Sequence, residues 1–84
     1  MLTGKTALVT GSTSGIGLAV AHALASNGAG VMLNGLGDPD AIEETRKSLS
    51  AQYDVPMAFH PADLRHPEEI ADLVAATERQ LGGV

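Results

Sequence analysis

Three glycines in one eight-residue run, Thr10-Gly11-Ser12-Thr13-Ser14-Gly15-Ile16-Gly17, point most directly to chemistry in this 84-residue chain. Gly11 lets a chain turn sharply as it leaves a strand. Gly15 removes a side chain, so that backbone N–H groups can approach a pyrophosphate. Gly17 allows the helix that follows to lie close against a sheet. A helix opening here aims its free N–H groups and the positive end of its dipole at phosphates. Ser12, Thr13 and Ser14 add hydroxyl donors for phosphate or ribose. The spacing is G-x3-G-x-G rather than G-x-G-x-x-G. Leu18, not lysine, follows Gly17, so this is not a P-loop. An ordinary glycine-rich turn ahead of a helix is the rival reading, and the flanking elements weigh against it.

Those elements alternate. Thr6-Ala7-Leu8-Val9-Thr10 predicts a buried strand that runs into the glycine turn. Gly15 to Asn27 predicts a helix whose inner face is Ile16, Val20 and Leu24, with Asn27-Gly28 as its stop. Val31-Met32-Leu33 is a second apolar run, closed by Asn34-Gly35-Leu36-Gly37. Asp38-Pro39 has the form of an N-cap with proline in the first turn. Asp40, Glu43 and Glu44 then precede Arg46 and Lys47, the order that suits a helix dipole. The apolar stripe of this second helix is Ile42, Thr45 and Leu49, and Tyr53 falls in a turn after it. Val55 to Phe59 predicts a third strand, which Pro56 relegates to an edge or gives an irregular start. His66-Pro67-Glu68-Glu69 opens a third helix with Ile70, Leu73, Val74, Thr77 and Leu81 on its inner face. Gly82-Gly83 ends it, and Val84 is placed to open a fourth strand.

The order is βαβαβα within a single unit, residues 1–84, with no repeat, linker or low-complexity segment. Strands separated by helices imply a parallel sheet with right-handed crossovers. The expected fold class is α/β: one Rossmann-type half, strand order 3-2-1, of a doubly wound sheet.

Composition narrows the function classes. The absence of cysteine excludes a disulfide scaffold and any cysteine-ligated metal. His22, His60 and His66 lack metal-ligand spacing, so no metal site is expected. The net charge is −5, and the five basic residues Lys5, Arg46, Lys47, Arg65 and Arg79 are scattered. Nucleic-acid binders carry a basic stripe instead. No apolar run approaches the ~18 residues of a membrane span. Met1-Leu2-Thr3-Gly4-Lys5 does not have the form of a secretory signal. A cytoplasmic location without nucleic-acid or membrane partners is the expectation. Glu43-Glu44 and Glu68-Glu69 read as solvated early-helix charges rather than catalytic pairs.

Taken with its strand and helix, Thr10-Gly11-Ser12-Thr13-Ser14-Gly15-Ile16-Gly17 resembles the cofactor motif of the short-chain dehydrogenase/reductase family. Asp63-Leu64, after the third strand, resembles that family's adenine-binding pair. The resemblance implies that the Asp63 carboxylate meets the adenine amino group and that Leu64 packs near the ring. His60 is close enough in sequence to flank the same pocket. Leu33-Asn34-Gly35-Leu36-Gly37-Asp38, together with the glycine run, is similar to the bacterial D-3-hydroxybutyrate dehydrogenases of that family, which use NAD. A small-molecule 3-hydroxy acid or alcohol as substrate, and a homo-oligomeric full-length protein, follow from the same resemblance.

It also places Gly35 where NAD enzymes commonly carry an acid for the ribose 2′-OH. Asp38 is better explained as a helix cap. Neither lysine nor arginine follows Gly35, and Ser14 stands where users of NADP often have a basic residue. A 2′-phosphate would meet Asp38 and Asp40 without a counter-charge, so NAD is expected by exclusion, with Leu36 covering the adenine or ribose. The family's catalytic Tyr-x3-Lys pair has no match: Tyr53 is the only tyrosine, and Met57 stands four residues on. No catalytic residue is therefore expected in residues 1–84. The chain reads as the NAD-binding N-terminal portion of a larger dehydrogenase, inactive alone. A non-catalytic nucleotide-binding module or a truncated relic is the alternative.

Overall fold

Side chains along a strand alternate between the two faces of its sheet, and that alternation builds two cores here. In the computed structural model, which describes residues 2–82, the order is β1 (Thr6–Val9), α1 (Gly15–Ser26), β2 (Gly30–Asn34), α2 (Pro39–Tyr53), β3 (Met57–His60) and α3 (Pro67–Leu81). Val31 and Leu33 of β2 and Met57 of β3 face Ala21, Ala25 and Leu49, so α1 and α2 cover one side. Met32 and Ala58, one residue out of phase, face Leu73 and Ala76 of α3 on the other. All five residues of β2 are buried, as befits a central parallel strand covered on both faces.

The sheet is parallel, with strand order β1-β2-β3. Val9 pairs with Leu33, and Asn34 with His60. The α/β Rossmann-type half with β3 at an edge is therefore what the structure contains. Pro56 lies just before β3, which starts two residues later than the sequence suggests and runs to His60. The Pro56 carbonyl still accepts from Val31 N–H at 3.0 Å, the pairing role that proline retains.

Three sequence expectations need correction. Of the expected inner face of α1, Ile16 and Val20 are exposed and only Leu24 packs against the core. Ile16 is 85% exposed and Val20 42%, while Ala21 and Ala25 are buried and Leu24 is half-buried. The cause is proximity. A methyl at Gly17 would overlap the Gly11 carbonyl oxygen, so the first turn of α1 lies hard against the glycine loop, and it is Ala21 and Ala25, flanked by Leu18 and Leu24, that meet the sheet. On α3, Leu73, Ala76 and Thr77 are buried, but Ile70 and Val74 lie on the flank and are exposed. Tyr53 is the last residue of α2, not part of a turn. Its hydroxyl sits 2.9 Å from His22 Nδ1, with the rings edge to face, and pins α2 to α1. The expected strand start at Val84 lies outside the described residues.

Candidate nucleotide-binding site

In a parallel sheet every β-to-α connection leaves from the same end. The loops after β1, β2 and β3 therefore converge, and Asn34 ties them together. Its side chain is buried. Its Oδ1 accepts from Gly11 N–H at 3.4 Å. Its Nδ2 donates to the carbonyls of His60 (3.1 Å) and Ala62 (3.0 Å). Its backbone N–H donates to Ser12 Oγ at 2.9 Å, and its carbonyl accepts from Ser12 N–H at 2.6 Å. Asparagine suits the post because its amide accepts and donates at once. Sequence reasoning saw only a strand-closing residue there, since a buried amide spanning three loops leaves no periodic trace.

The glycine loop is shaped by its backbone. Gly11 (φ +59°) and Gly15 (φ +60°) occupy the left-handed region, which costs other residues energy. A Cβ at either would meet nothing within 4 Å, so open space lies in front of both. Ser14 is the N-cap residue of α1, but its side chain makes no capping bond and the first turn contains no acid. The first-turn N–H groups of α1 are thus left for an external acceptor. Ser12 departs from expectation. Its hydroxyl is fully buried and bonded to the backbone of Asn34, so it braces the loop instead of offering a donor to phosphate.

The loop after β3 is shaped by charge. Arg65 grips the Asp63 carboxylate, Nη2 to Oδ2 at 2.7 Å and Nε to Oδ1 at 3.0 Å, while the Arg65 N–H also donates to Oδ1 at 3.0 Å. These bonds hold the Asp63 carboxyl well below the usual carboxylate range, so it stays an ionised acceptor near neutral pH. The Asp63 N–H in turn donates to Glu69 Oε1 at 3.0 Å, which anchors the loop to the first turn of α3. His60 Nδ1 accepts from Ala62 N–H and so braces the strand end.

Between the three loops lies a cavity of about 400 Å³, to which Gly11, Thr13, Ser14, Gly35, Leu36, Asp63 and Leu64 all contribute. Its rim carries the exposed apolar side chains of Leu36 and Leu64. Ser12, Gly15, Ile16 and Gly17 do not line it: Ser12 is a brace, Gly15 and Gly17 shape the entry to α1, and the Ile16 side chain points to solvent. Asn34, Ala62 and Arg65 line it without having been anticipated. A second cavity, of about 200 Å³, adjoins it between Thr13, Leu36 and Asp38 on one side and Ala41, Ile42 and Thr45 of α2 on the other. Asp38 Oδ1 accepts from Asp40 N–H at 3.1 Å, which makes Asp38 the helix cap. Open glycine backbone, uncapped N–H groups, an apolar rim and an ionised acceptor at the far end suit the pyrophosphate and adenosine of a dinucleotide.

A sequence model described as short chain dehydrogenase matches residues 5–84. The chain belongs to the short-chain dehydrogenase family. It is 47% identical over 79 residues to the D-beta-hydroxybutyrate dehydrogenase of Rhizobium meliloti (strain 1021), covering 94% of this chain and 31% of that protein. Against the D-beta-hydroxybutyrate dehydrogenase of Cupriavidus necator (strain ATCC 17699) it is 46% identical over 83 residues, covering 99% and 31%. Among solved structures, the L-sorbose reductase of Gluconobacter frateurii complexed with NADPH and L-sorbose superposes with a TM-score of 0.89 at 34% identity, covering 99% of this chain and 31% of that one. This short-chain dehydrogenase chain thus spans about a third of the length of the curated relatives it matches.

Proposed function

We propose that this chain holds the adenosine and pyrophosphate of NAD within a short-chain dehydrogenase that oxidises 3-hydroxybutyrate to acetoacetate. The observation that carries the reading is the shared cavity, where the glycine loop, the tip of β2 and Asp63-Leu64 come together. The N–H groups along Gly15, Ile16 and Gly17 take the pyrophosphate, where Gly11 turns the chain to admit it, Thr13 and Ser14 face the ribose, and Leu36 and Leu64 flank the adenine. The ionised Asp63 accepts from the adenine amino group. Bound NAD supplies the hydride acceptor. The 3-hydroxybutyrate assignment rests on the two bacterial relatives, each more than 45% identical over nearly the whole chain.

Electrostatics favours NAD over its 2′-phosphorylated form. The loop after β2 and the first turn of α2 carry Asp38 and Asp40 and no base. Arg65, the one cation lining the cavity among the described residues, is already paired with Asp63. A 2′-phosphate would face repulsion without a free partner. The only tyrosine, Tyr53, sits at the opposite end of α2 from the cavity and is hydrogen-bonded to His22. The acid–base residues of the reaction are therefore assigned to parts of the protein beyond residues 1–84, which form its NAD-binding portion and do not turn over substrate alone. The full-length protein is read as a cytoplasmic homo-oligomer.

The location of Tyr53 equally suits a module that binds a nucleotide without turnover, and one pair of measurements separates the readings. Intact mass in the source cells is expected to be several-fold above 8.6 kDa, with NADH formed from NAD and D-3-hydroxybutyrate. A mass equal to that of this chain, with no NADH formed, would overturn the dehydrogenase reading in favour of the module.

A further inference from the structure

An edge strand presents an unpaired row of N–H and C=O groups, on which another chain can continue the sheet. β3 is such an edge, and no charged residue interrupts Val55 to Phe59. The Val31 N–H donates to the Pro56 carbonyl, so Pro56, Ala58 and His60 turn their peptide groups toward β2. Those of Val55, Met57 and Phe59 turn outward, away from β2. Two of these three outward carbonyls are nevertheless occupied. Ser50 Oγ donates to the Val55 carbonyl at 2.8 Å, and Arg46 Nη1 donates to the Met57 carbonyl at 3.2 Å. Both donors come from α2. Four residues of helix advance about 6 Å and two of strand about 6.6 Å, so one turn of α2 matches the repeat of the outward carbonyls. Glu43 fixes the guanidinium. Its Oε1 accepts from Arg46 Nε and its Oε2 from Nη2, each at 2.7 Å, which leaves Nη1 for the edge. The edge at β1 differs. The Gly30 N–H donates to the Lys5 carbonyl, so Thr6 and Leu8 turn outward, and among the described residues no side chain donates to either carbonyl.

We propose that Arg46 and Ser50 form a guard along the outer edge of β3, which keeps that edge from pairing with β3 of a second copy of this chain. Strand addition needs the Val55 and Met57 carbonyls as acceptors, and the guard holds both. It also sets a charged pair, Arg46 with Glu43, beside a strand that has no charge of its own. The strand excluded is a second β3, because a two-fold axis brings the same short apolar edge of two copies together. Phe59, whose outward groups have no side-chain partner among the described residues, is the part of the edge left open. None of Glu43, Arg46 and Ser50 lines the nucleotide cavities, so the guard is independent of the nucleotide reading.

The test compares the intact protein with a variant carrying Arg46→Met and Ser50→Ala, by sedimentation velocity over a range of concentrations with amide hydrogen exchange alongside. The two changes keep a long side chain at position 46 and remove both donors. The variant is expected to form species larger than the unaltered protein's own assembly at a concentration roughly tenfold lower or less. As they form, exchange of the Phe59 amide, which points out from the edge, is expected to slow by roughly tenfold or more. A folded variant that sediments as the unaltered protein does across the whole range would overturn the guard. So would association that leaves Phe59 exchange unchanged, since the new contact would then lie elsewhere, on β1 or on the apolar surface that methionine adds. Arg46→Met alone, at a half-exposed position on the edge, is read by the same two measurements and decides where the double variant fails to fold.

Discussion

The three helices begin in the same layer of the molecule, yet their N-termini are finished differently. α2 is closed from within: Asp38 caps it and Asp40 sits in its first turn. α3 carries Glu68 and Glu69 in its first turn, and Glu69 reaches back to the Asp63 N–H. α1 has neither acid nor side-chain cap, although Ser14 is of a type that caps well. A helix end left uncompensated is a site for an external anion. The chain thus sets its own carboxylates at two helix N-termini and leaves the third without one, free for the ligand phosphate proposed above. The proposed preference for NAD over its 2′-phosphorylated form rests on the acids at those two other ends.

The largest effect is expected where the open end is held against the sheet. Gly17→Ala drives a methyl into the Gly11 carbonyl, backbone against backbone. It should cost about 3 kcal/mol in chemical denaturation and abolish dinucleotide binding. Asn34→Leu comes next. It leaves the His60 and Ala62 carbonyls and the Gly11 N–H without their partner. A loss of about 2 kcal/mol in the same measurement is expected. Ser14→Asp makes α1 resemble α2. It should weaken NAD binding about tenfold by calorimetry, as one unfavourable charge of about 1.4 kcal/mol would, while the melting temperature holds or rises. Asp38→Ala does the reverse to α2. It should cost about 1 kcal/mol of stability and leave NAD affinity within twofold. If Ser14→Asp and Asp38→Ala behaved alike, the contrast between the helix ends would be empty.

The contrast also explains what sequence reading captured and what it missed. Strand and helix order, the parallel sheet and the glycine loop follow from constraints that act on single residues: apolar runs, caps and positive φ. Asp38 as a cap was visible for the same reason. The buried face of α1 was not, because periodicity marks Ile16, Val20 and Leu24 and says nothing of how near the helix approaches the strands. Gly17 against Gly11 holds its first turn hard against the glycine loop, and it is Ala21 and Ala25 that meet the sheet. The bracing role of Ser12, the three-loop tie through Asn34 and the Arg65 grip on Asp63 were hidden for a related reason. Each depends on partners brought together only by the fold.

Amide chemical shifts during titration with NAD test the nucleotide site most directly. Shifts confined to Gly11, Thr13, Ser14, Gly15, Gly35, Leu36, Asp63 and Leu64 are the expected result, with His22, Ser48 and Gln52, in the cleft between α1 and α2, unmoved. Shifts centred on that cleft, or none at saturating NAD, would contradict a nucleotide site at the ends of the strands.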